Sequence, residues 1–306
     1  MAALYDFESA FPVEEIAGSV CAFGVFDGVH TGHRFLLDCA RRQAQERGAA
    51  FAILTFDIDP DERFHPARLK KLMPNEARLQ KLAALSDAVV VLPFTREFSS
   101  LSPIEFLDET LGGNVPLALH VGCDIRFGAK AQGTVDDLSL WGSAHGMEVC
   151  AHRLFETEGA AVTATRIRLL LEKGEIEEAN KLLGYPYSLV GRVLAGRGEG
   201  ANMGFRTANL IVEDQLRVLG DGVYAAYATV GETRYKAAVN VGVAATFAET
   251  ATATCEAHLL DFEGNLYGET LALEFVHWLR PMKKFDSLDE LIATVNDNIS
   301  WVRANL

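Results

Sequence analysis

A short apolar run, Ser19-Val20-Cys21-Ala22-Phe23, passes through glycines into an amphipathic segment, and that junction commits the front of the chain to a strand, a tight turn and a helix. The run is brief, hydrophobic and β-prone, as a strand buried on both faces must be. Beyond the turn, Phe35, Leu36, Cys39 and Ala40 recur at helical spacing, with Arg34, Arg41 and Arg42 at polar positions. The turn reads Gly24-Val25-Phe26-Asp27-Gly28-Val29-His30-Thr31-Gly32-His33. Gly24, Gly28 and Gly32 let the backbone approach a ligand closely, and the exposed N–H groups and positive dipole end of the following helix favour an anion. His30 and His33 add donors that become cationic as charge develops on a phosphate. Phosphate is the expected ligand. No Lys-Ser or Lys-Thr follows the glycines and the dinucleotide spacing is absent, which excludes a Walker loop and the dinucleotide fingerprint. An isolated His-x-Gly-His is more often a helix cap or a surface pair, and no further histidine or cysteine lies nearby at metal-ligand spacing.

The rest of the first half alternates strands and helices: strands at 51–56, 88–92 and 117–121, helices at 75–85 and 103–111. This alternation predicts a parallel sheet with helices on both faces and a ligand site beyond the carboxyl ends of its strands. The strand at 117–121 leads into a second glycine-bearing loop, Gly122-Cys123-Asp124-Ile125-Arg126-Phe127-Gly128, which the same sheet can bring to the first. From Thr163 a helix carries Thr165, Arg166 and Arg168, hydroxyl and guanidinium groups suited to phosphate oxygens but equally ordinary at a solvated helix start. A further helix, 176–183, ends at Gly184, and Pro186 prevents its resumption. The pattern then changes to β-prone runs between glycine turns at 222–227, 235–239, 254–260 and 270–275, which predicts a compact antiparallel barrel closed by a helix over 288–306.

At 306 residues the chain exceeds the usual single core, so two domains are expected, 1–183 and 184–306. The net charge of −14, from 28 basic and 42 acidic residues, disfavours nonspecific nucleic-acid binding, so an anionic nucleotide must be caught by local positive groups. No apolar run is long enough to span a membrane, and the start lacks a basic and apolar leader. Five cysteines, widely spaced and odd in number, point to reduced, mostly buried thiols in the cytoplasm.

Taken in order, the motifs resemble one family over nearly the whole chain, the prokaryotic bifunctional riboflavin kinase/FMN adenylyltransferases, also called FAD synthetases. The resemblance runs from the turn at 24–33 through Gly-x-Asp-x-Arg-Phe-Gly at 122–128 and Thr-x-Thr-Arg-Ile-Arg at 163–168. It continues through Leu183-Gly184-Tyr185-Pro186-Tyr187, Gly204-Phe205-Arg206-Thr207-Ala208-Asn209, Gly222-Val223-Tyr224 and Cys255-Glu256-Ala257-His258-Leu259-Leu260. It implies an amino-terminal Rossmann-like nucleotidyltransferase domain and a carboxyl-terminal riboflavin kinase-like barrel. The barrel would phosphorylate riboflavin with ATP to give FMN, and the first domain would join FMN to AMP, giving FAD and pyrophosphate. It further implies that His30 and His33 contact ATP phosphates, with Gly24, Phe26, Asp27, Gly28 and Gly32 shaping the nucleotide turn. Thr165, Arg166 and Arg168 would position the triphosphate, while Asp124 and Phe127 form the flavin side. In the barrel, Gly204 and Arg206 would lie along the nucleotide, Thr207 and Asn209 would hold Mg²⁺, and Glu256 would accept the riboflavin hydroxyl proton.

The chain departs from the family pattern at several of these places. Ala164 stands where the family has serine and Asp59 where it has histidine. Arg206 replaces the motif proline, Ala201 an arginine and Ala245 a second proline. Losing prolines loosens a turn, whereas a guanidinium at position 206 can reach phosphate in place of the charge missing at 201. Two narrower readings stay open on these residues: an FMN adenylyltransferase with a degenerate kinase-like flavin-binding barrel, and a noncatalytic flavin sensor.

Overall fold

The computed structural model describes residues 3–6, 16–64, 70–194, 205–212, 216, 219–243 and 253–306. The chain packs as two compact units, Met1–Leu69 with Pro74–Ala164, and Lys70–Met73 with Thr165–Leu306.

The first unit is built on six strands: β1 (Ala3–Asp6), β2 (Val20–Phe23), β3 (Phe51–Phe56), β4 (Ala88–Leu92), β5 (Ala118–Gly122) and β6 (Glu148–His152). Their order across the sheet is β1-β4-β3-β2-β5-β6, and every neighbouring pair is parallel. Between β2 and β3 runs α1 (Thr31–Arg47), between β3 and β4 run α2 (Pro60–Phe64) and α3 (Asn75–Ala83). Between β4 and β5 run α4 (Arg96–Ser99) and α5 (Pro103–Leu111), and α6 (Val135–His145) joins β5 to β6. Strands β3 and β4 are buried at every residue, which is why they read as uninterrupted apolar runs rather than alternating ones. The chain moves one way from β2 to β3 to β4, then returns to place β5 on the other side of β2. That reversal leaves a crevice at the carboxyl ends of β2 and β5, where an open α/β sheet holds its ligand.

Local chemistry sets the helix boundaries. The side chain of His30 caps α1, and Gly48, with φ of 62°, ends it in the left-handed region. Capping boxes start α5, through Ser102 and Glu105, and α6, through Thr134 and Asp137. The core of this unit packs Phe23, Leu54, Leu92, Phe106, Leu119 and Leu138 between sheet and helices.

The edge of the sheet next to α1 carries a polar latch that runs from buried His120 out to the surface. His120 on β5 lies 2.8 Å through Nδ1 from His152 Nε2 on β6, and 2.6 Å through Nε2 from Gln43 Oε1 on α1. Gln43 Nε2 donates onward to Glu148, which also pairs with Arg47. An amide oxygen can only accept, so His120 carries its proton on Nε2 and receives the His152 N–H at Nδ1. Burial and the neighbouring His152 hold the His120 pKa down at about 4.

The second unit opens with α7 (Ala164–Glu172) and α8 (Ile176–Leu183). Strands β9 (Tyr187–Leu194), β10 (Ala208–Val212), β11 (Gly222–Val230), β12 (Thr233–Val243), β13 (Ala253–Leu259) and β14 (Thr270–Arg280) then close an antiparallel barrel in the order β10-β13-β12-β11-β14-β9. A two-stranded ribbon at 156–157 and 160–161, β7 and β8, precedes α7 in the first unit. Inward residues alternate with outward ones, and Tyr224 and Phe275 meet edge to face inside at 5.7 Å. Asn180 of α8 ties the helix to the barrel, donating to Phe275 O and accepting from Tyr187 N. The last helix, α9 (Leu288–Asn305 in sequence), is capped by Ser287 and lays Val302 against Ala225 and Leu260.

The expected parallel sheet and closed barrel with its final helix are thus what the chain forms. The structure adds elements the periodicity did not give: β1, β6, the β7–β8 ribbon, β9, β10, α6 and the short helices. Edge strand β6, Glu-Val-Cys-Ala-His, is only partly buried and lacks an apolar run, and α6 carries Gly142 in its buried face. The thiols are less buried than expected. All five are free, but only Cys21 and Cys255 are buried, and Cys123 is exposed. Among the described residues no helix is long and apolar enough to cross a membrane.

His120 sets a pH dependence. Its folded pKa lies below its unfolded value, so the unfolded chain takes up the proton first and stability is lost as pH falls below about 6.5. Between about pH 7 and about pH 5 this histidine should remove roughly 2 kcal/mol from the first unit. Urea unfolding followed by Trp141 fluorescence, with Trp278 and Trp301 replaced by Phe, checks it: His120→Gln should flatten the pH dependence, and an equally steep dependence in that variant contradicts the assignment.

Candidate active sites at the strand ends

The turn after β2 is held in a conformation its sequence does not favour. Phe26 and Val29 have φ of 56° and 39°, and Gly28 has φ of 75°. A left-handed valine is costly because of its branched Cβ, and such residues persist only where surrounding contacts over-determine them. Phe26 contributes by burying its ring, which meets His33 edge to face at 5.3 Å. Asp27 and Val29 are buried as well.

Much of the remaining support comes from Arg78 on α3, a guanidinium only 4% exposed. It donates to Val25 O, Thr55 Oγ1 and Phe56 O, each at 2.6 Å, and to Asn75 Oδ1. It therefore clamps the chain leaving β2 to the end of β3 and the start of α3. Asn75 extends the clamp by donating to Asp57 O at 2.6 Å.

On this base the two histidines meet. Their rings stack at 3.6 Å, and His33 N–H donates to His30 Nδ1 at 3.3 Å as the cap of α1. His33 Nδ1 is enclosed with no hydrogen-bond partner among the described residues. Burial first, then His30 and Arg78, hold the His33 pKa well below its ordinary value, so the turn presents neutral imidazole at neutral pH. A Cβ on Gly32 would lie 3.0 Å from Val162 O, so the chain two residues before α7 abuts this turn closely. Gly24 is similarly tight against the Phe26 ring.

The second loop follows β5, which pairs directly with β2. Asp124 is exposed there, its carboxylate folded back to within 2.8 Å of where a Gly122 Cβ would stand. Phe127 instead turns into the core, 5.3 Å from Phe106, and with Phe23 and Ile125 lines a narrow apolar cavity. The adjacent run of Phe56, Phe94 and Phe98 continues this aromatic wall.

In the second unit, Thr165 is exposed at the start of α7 and Arg166 is half-buried. Arg168 donates through Nε to Lys70 O at 2.7 Å. Asn209 on β10 and Glu256 on β13 are register partners on the outer barrel surface, although the motifs carrying them stand far apart in sequence. Exposed Thr207 lies just before β10. His258 Nδ1 is 2.8 Å from Arg206 O, and its ring meets Phe205 edge to face, so β13 holds the backbone leading into Thr207. Arg206 itself is exposed; Ala201, Gly204 and Ala245 lie outside the described residues.

Arg78 lies outside the motifs, and His258 lies in the motif at 255–260 but carries no role there; both hold neighbouring backbone in place. An arginine in an amphipathic helix reads as solvated, and only the tertiary contacts reveal its burial. Among the described residues no group of three or more histidine, cysteine, aspartate or glutamate side chains could hold a metal ion.

Comparison with known proteins covers both units. A FAD synthetase family model matches residues 13–166, and a riboflavin kinase family model matches 183–306. A bifunctional riboflavin kinase/FMN adenylyltransferase of Listeria monocytogenes is 34% identical over 93% of this chain and 91% of its own length. One from Pseudomonas fluorescens is 34% identical over 95% of this chain and 94% of its own. A crystal structure described as a macrolide-efflux protein from Streptococcus pneumoniae matches with a TM-score of 0.88 and 28% identity, covering 99% of each chain.

The clamp carries a stability prediction. Arg78→Met leaves Val25 O, Phe56 O and Asn75 Oδ1 short of a donor and should cost about 3 kcal/mol or more in urea unfolding of the first unit. Arg78→Lys, which keeps a charge but cannot reach all the acceptors at once, should fall between. An unchanged midpoint for Arg78→Met would show that the turn stands without it.

Proposed function

Because the chain belongs to the bifunctional riboflavin kinase/FMN adenylyltransferase family, we propose that it makes FAD in two steps, with the work divided between 1–183 and 184–306. ATP first phosphorylates riboflavin to FMN; a second ATP then adenylylates FMN to FAD. The observation that supports the division is that 1–183 and 184–306 each carry their own set of phosphate-handling groups: the stacked rings of His30 and His33, and the Asn209 and Glu256 register pair.

In the first step, the 5′-hydroxyl of riboflavin attacks the γ-phosphorus of ATP. Glu256 accepts the hydroxyl proton, a P–O bond forms, and the bond from γ-phosphorus to the bridging oxygen breaks to release ADP. Thr207 and Asn209 offer a hydroxyl and a carboxamide oxygen, hard donors that fit Mg²⁺, which commonly relies on substrate phosphates for its remaining ligands. When bound, the ion offsets phosphate charge. Gly204 and Arg206 belong to the nucleotide side, with His258 keeping the Arg206 backbone against β13.

In the second step, a phosphate oxygen of FMN attacks the α-phosphorus of ATP and pyrophosphate leaves. Backbone N–H groups at the start of α1, with His30 and His33, receive the growing charge. His33 is neutral before substrate arrives, so it acts as a hydrogen-bond donor, and the anion favours its protonated form. Thr165, Arg166 and Arg168 hold the triphosphate, and Asp124 with Phe127 forms the flavin side. Positioning and electrostatics suffice, with no covalent enzyme intermediate. The five free thiols and the ATP requirement fit a cytoplasmic enzyme.

Flavin chromatography after incubation with MgATP tests the division. His30→Ala or His33→Ala should slow FMN-to-FAD conversion by roughly a hundredfold while riboflavin phosphorylation continues. Glu256→Gln should do the reverse, slowing phosphorylation by roughly a hundredfold. Equal loss of both activities in any folded variant contradicts the modular assignment.

A further inference from the structure

The row that holds Asn209 and Glu256 does not end with them. Strand register continues it from Glu256 to Asn240 on β12, then to Val223 on β11 and Arg280 on β14. Val239 and Val241 flank Asn240 and are buried, as Cys255 and Ala257 are around Glu256, so both polar side chains leave the same outer face of the barrel. Along β12 on that face, the previous residue is Ala238, packed against the cluster beneath α9, and the next is Gly242, which brings no side chain. Asn240 therefore stands next along the strand to the patch that packs beneath the final helix.

Its Oδ1 is enclosed and has no hydrogen-bond partner among the described residues. A buried acceptor left unpaired costs about 1–3 kcal/mol, and asparagine gives a strand position none of the packing that a branched residue would. Such a group is retained where something else supplies the donor. Oδ1 accepts only, so its missing partner is an O–H or N–H group beside Glu256.

We infer that Asn240 is a substrate-binding residue of the kinase step, accepting a hydrogen bond from a hydroxyl of the polyol chain whose terminal hydroxyl Glu256 deprotonates. The inference rests on the kinase reading of this barrel. Asn209 and Asn240 lie on opposite sides of Glu256, each one strand away, about 4.8 Å along the sheet. That spacing separates two functions: nucleotide phosphate and its ion on the Asn209 side, the hydroxyl chain on the Asn240 side. With one ribityl hydroxyl at Glu256, another farther along the chain reaches Asn240. The residue thus selects a polyhydroxylated acceptor over a flavin with an alkyl side chain.

Asn240→Leu, close in shape but without an acceptor, and Asn240→Thr, which keeps a neutral one, test this in the full-length chain. Without substrate, Asn240→Leu should melt at the wild-type temperature or higher, because it removes an unpaired buried oxygen; a residue kept for the fold would show a loss. Its riboflavin KM should rise roughly tenfold, with the MgATP KM and FMN-to-FAD conversion unchanged, and Asn240→Thr should recover part of the loss. An unchanged riboflavin KM, or a rise in the MgATP KM instead, overturns the inference. If the wild-type chain failed to phosphorylate riboflavin, the kinase reading would fall. Riboflavin fluorescence quenching would then still decide the binding role: equal affinity in wild type and Asn240→Leu overturns it, and weaker binding in the variant supports it.

Discussion

Arg78 is the interaction on which the first site depends. The turn after β2 departs from ordinary helix and strand geometry, with Phe26 and Val29 both at positive φ. The guanidinium offsets that strain by joining the end of β2 to the end of β3 and the start of α3. It also places a fixed positive charge near the turn, which adds to burial and His30 in lowering the His33 pKa. One buried side chain thereby links the sheet order, the shape of the turn and the protonation of a histidine in it. The net charge of −14 makes such local arrangement necessary, since the global field repels a nucleotide.

The second unit solves the same problem by strand register. Closing six antiparallel strands fixes which residues share a row, and a shift of one residue would turn the whole set to the opposite face. Asn209, Asn240 and Glu256 come from three separate stretches of sequence and become neighbours only through that closure. The inward residues that enforce it, among them Tyr224 and Phe275, are therefore indirect supports of the site.

These two solutions differ in how far the sequence reveals them. The histidine turn is local, so its strand, glycines and capped helix were legible as a contiguous pattern. The barrel was legible as a class, from β-prone runs between glycine turns, but the neighbour relation of Asn209 to Glu256 is a long-range fact that only motif resemblance suggested. Strand β6 escaped notice because an edge strand lacks the apolar run of β3 and β4, whereas α6 did carry a readable start in Thr134 and Asp137. Arg78 was illegible for a different reason: a charged residue on an amphipathic helix is ordinarily solvated, and its burial depends on acceptors contributed by β2 and β3.

The central claim is that one chain uses two different phosphorus atoms of ATP, with the work divided between 1–183 and 184–306. Following the label from ATP into flavin tests it most directly. Supplied with riboflavin and MgATP, the chain should produce FAD that carries label from the γ-position in its flavin-side phosphate and label from the α-position in its adenylyl phosphate. FMN supplied in place of riboflavin should yield FAD bearing only the α-label. FAD formed from FMN with no label taken up from riboflavin and γ-labelled ATP would contradict the account of the barrel, and absence of the α-label would contradict the account of the histidine turn.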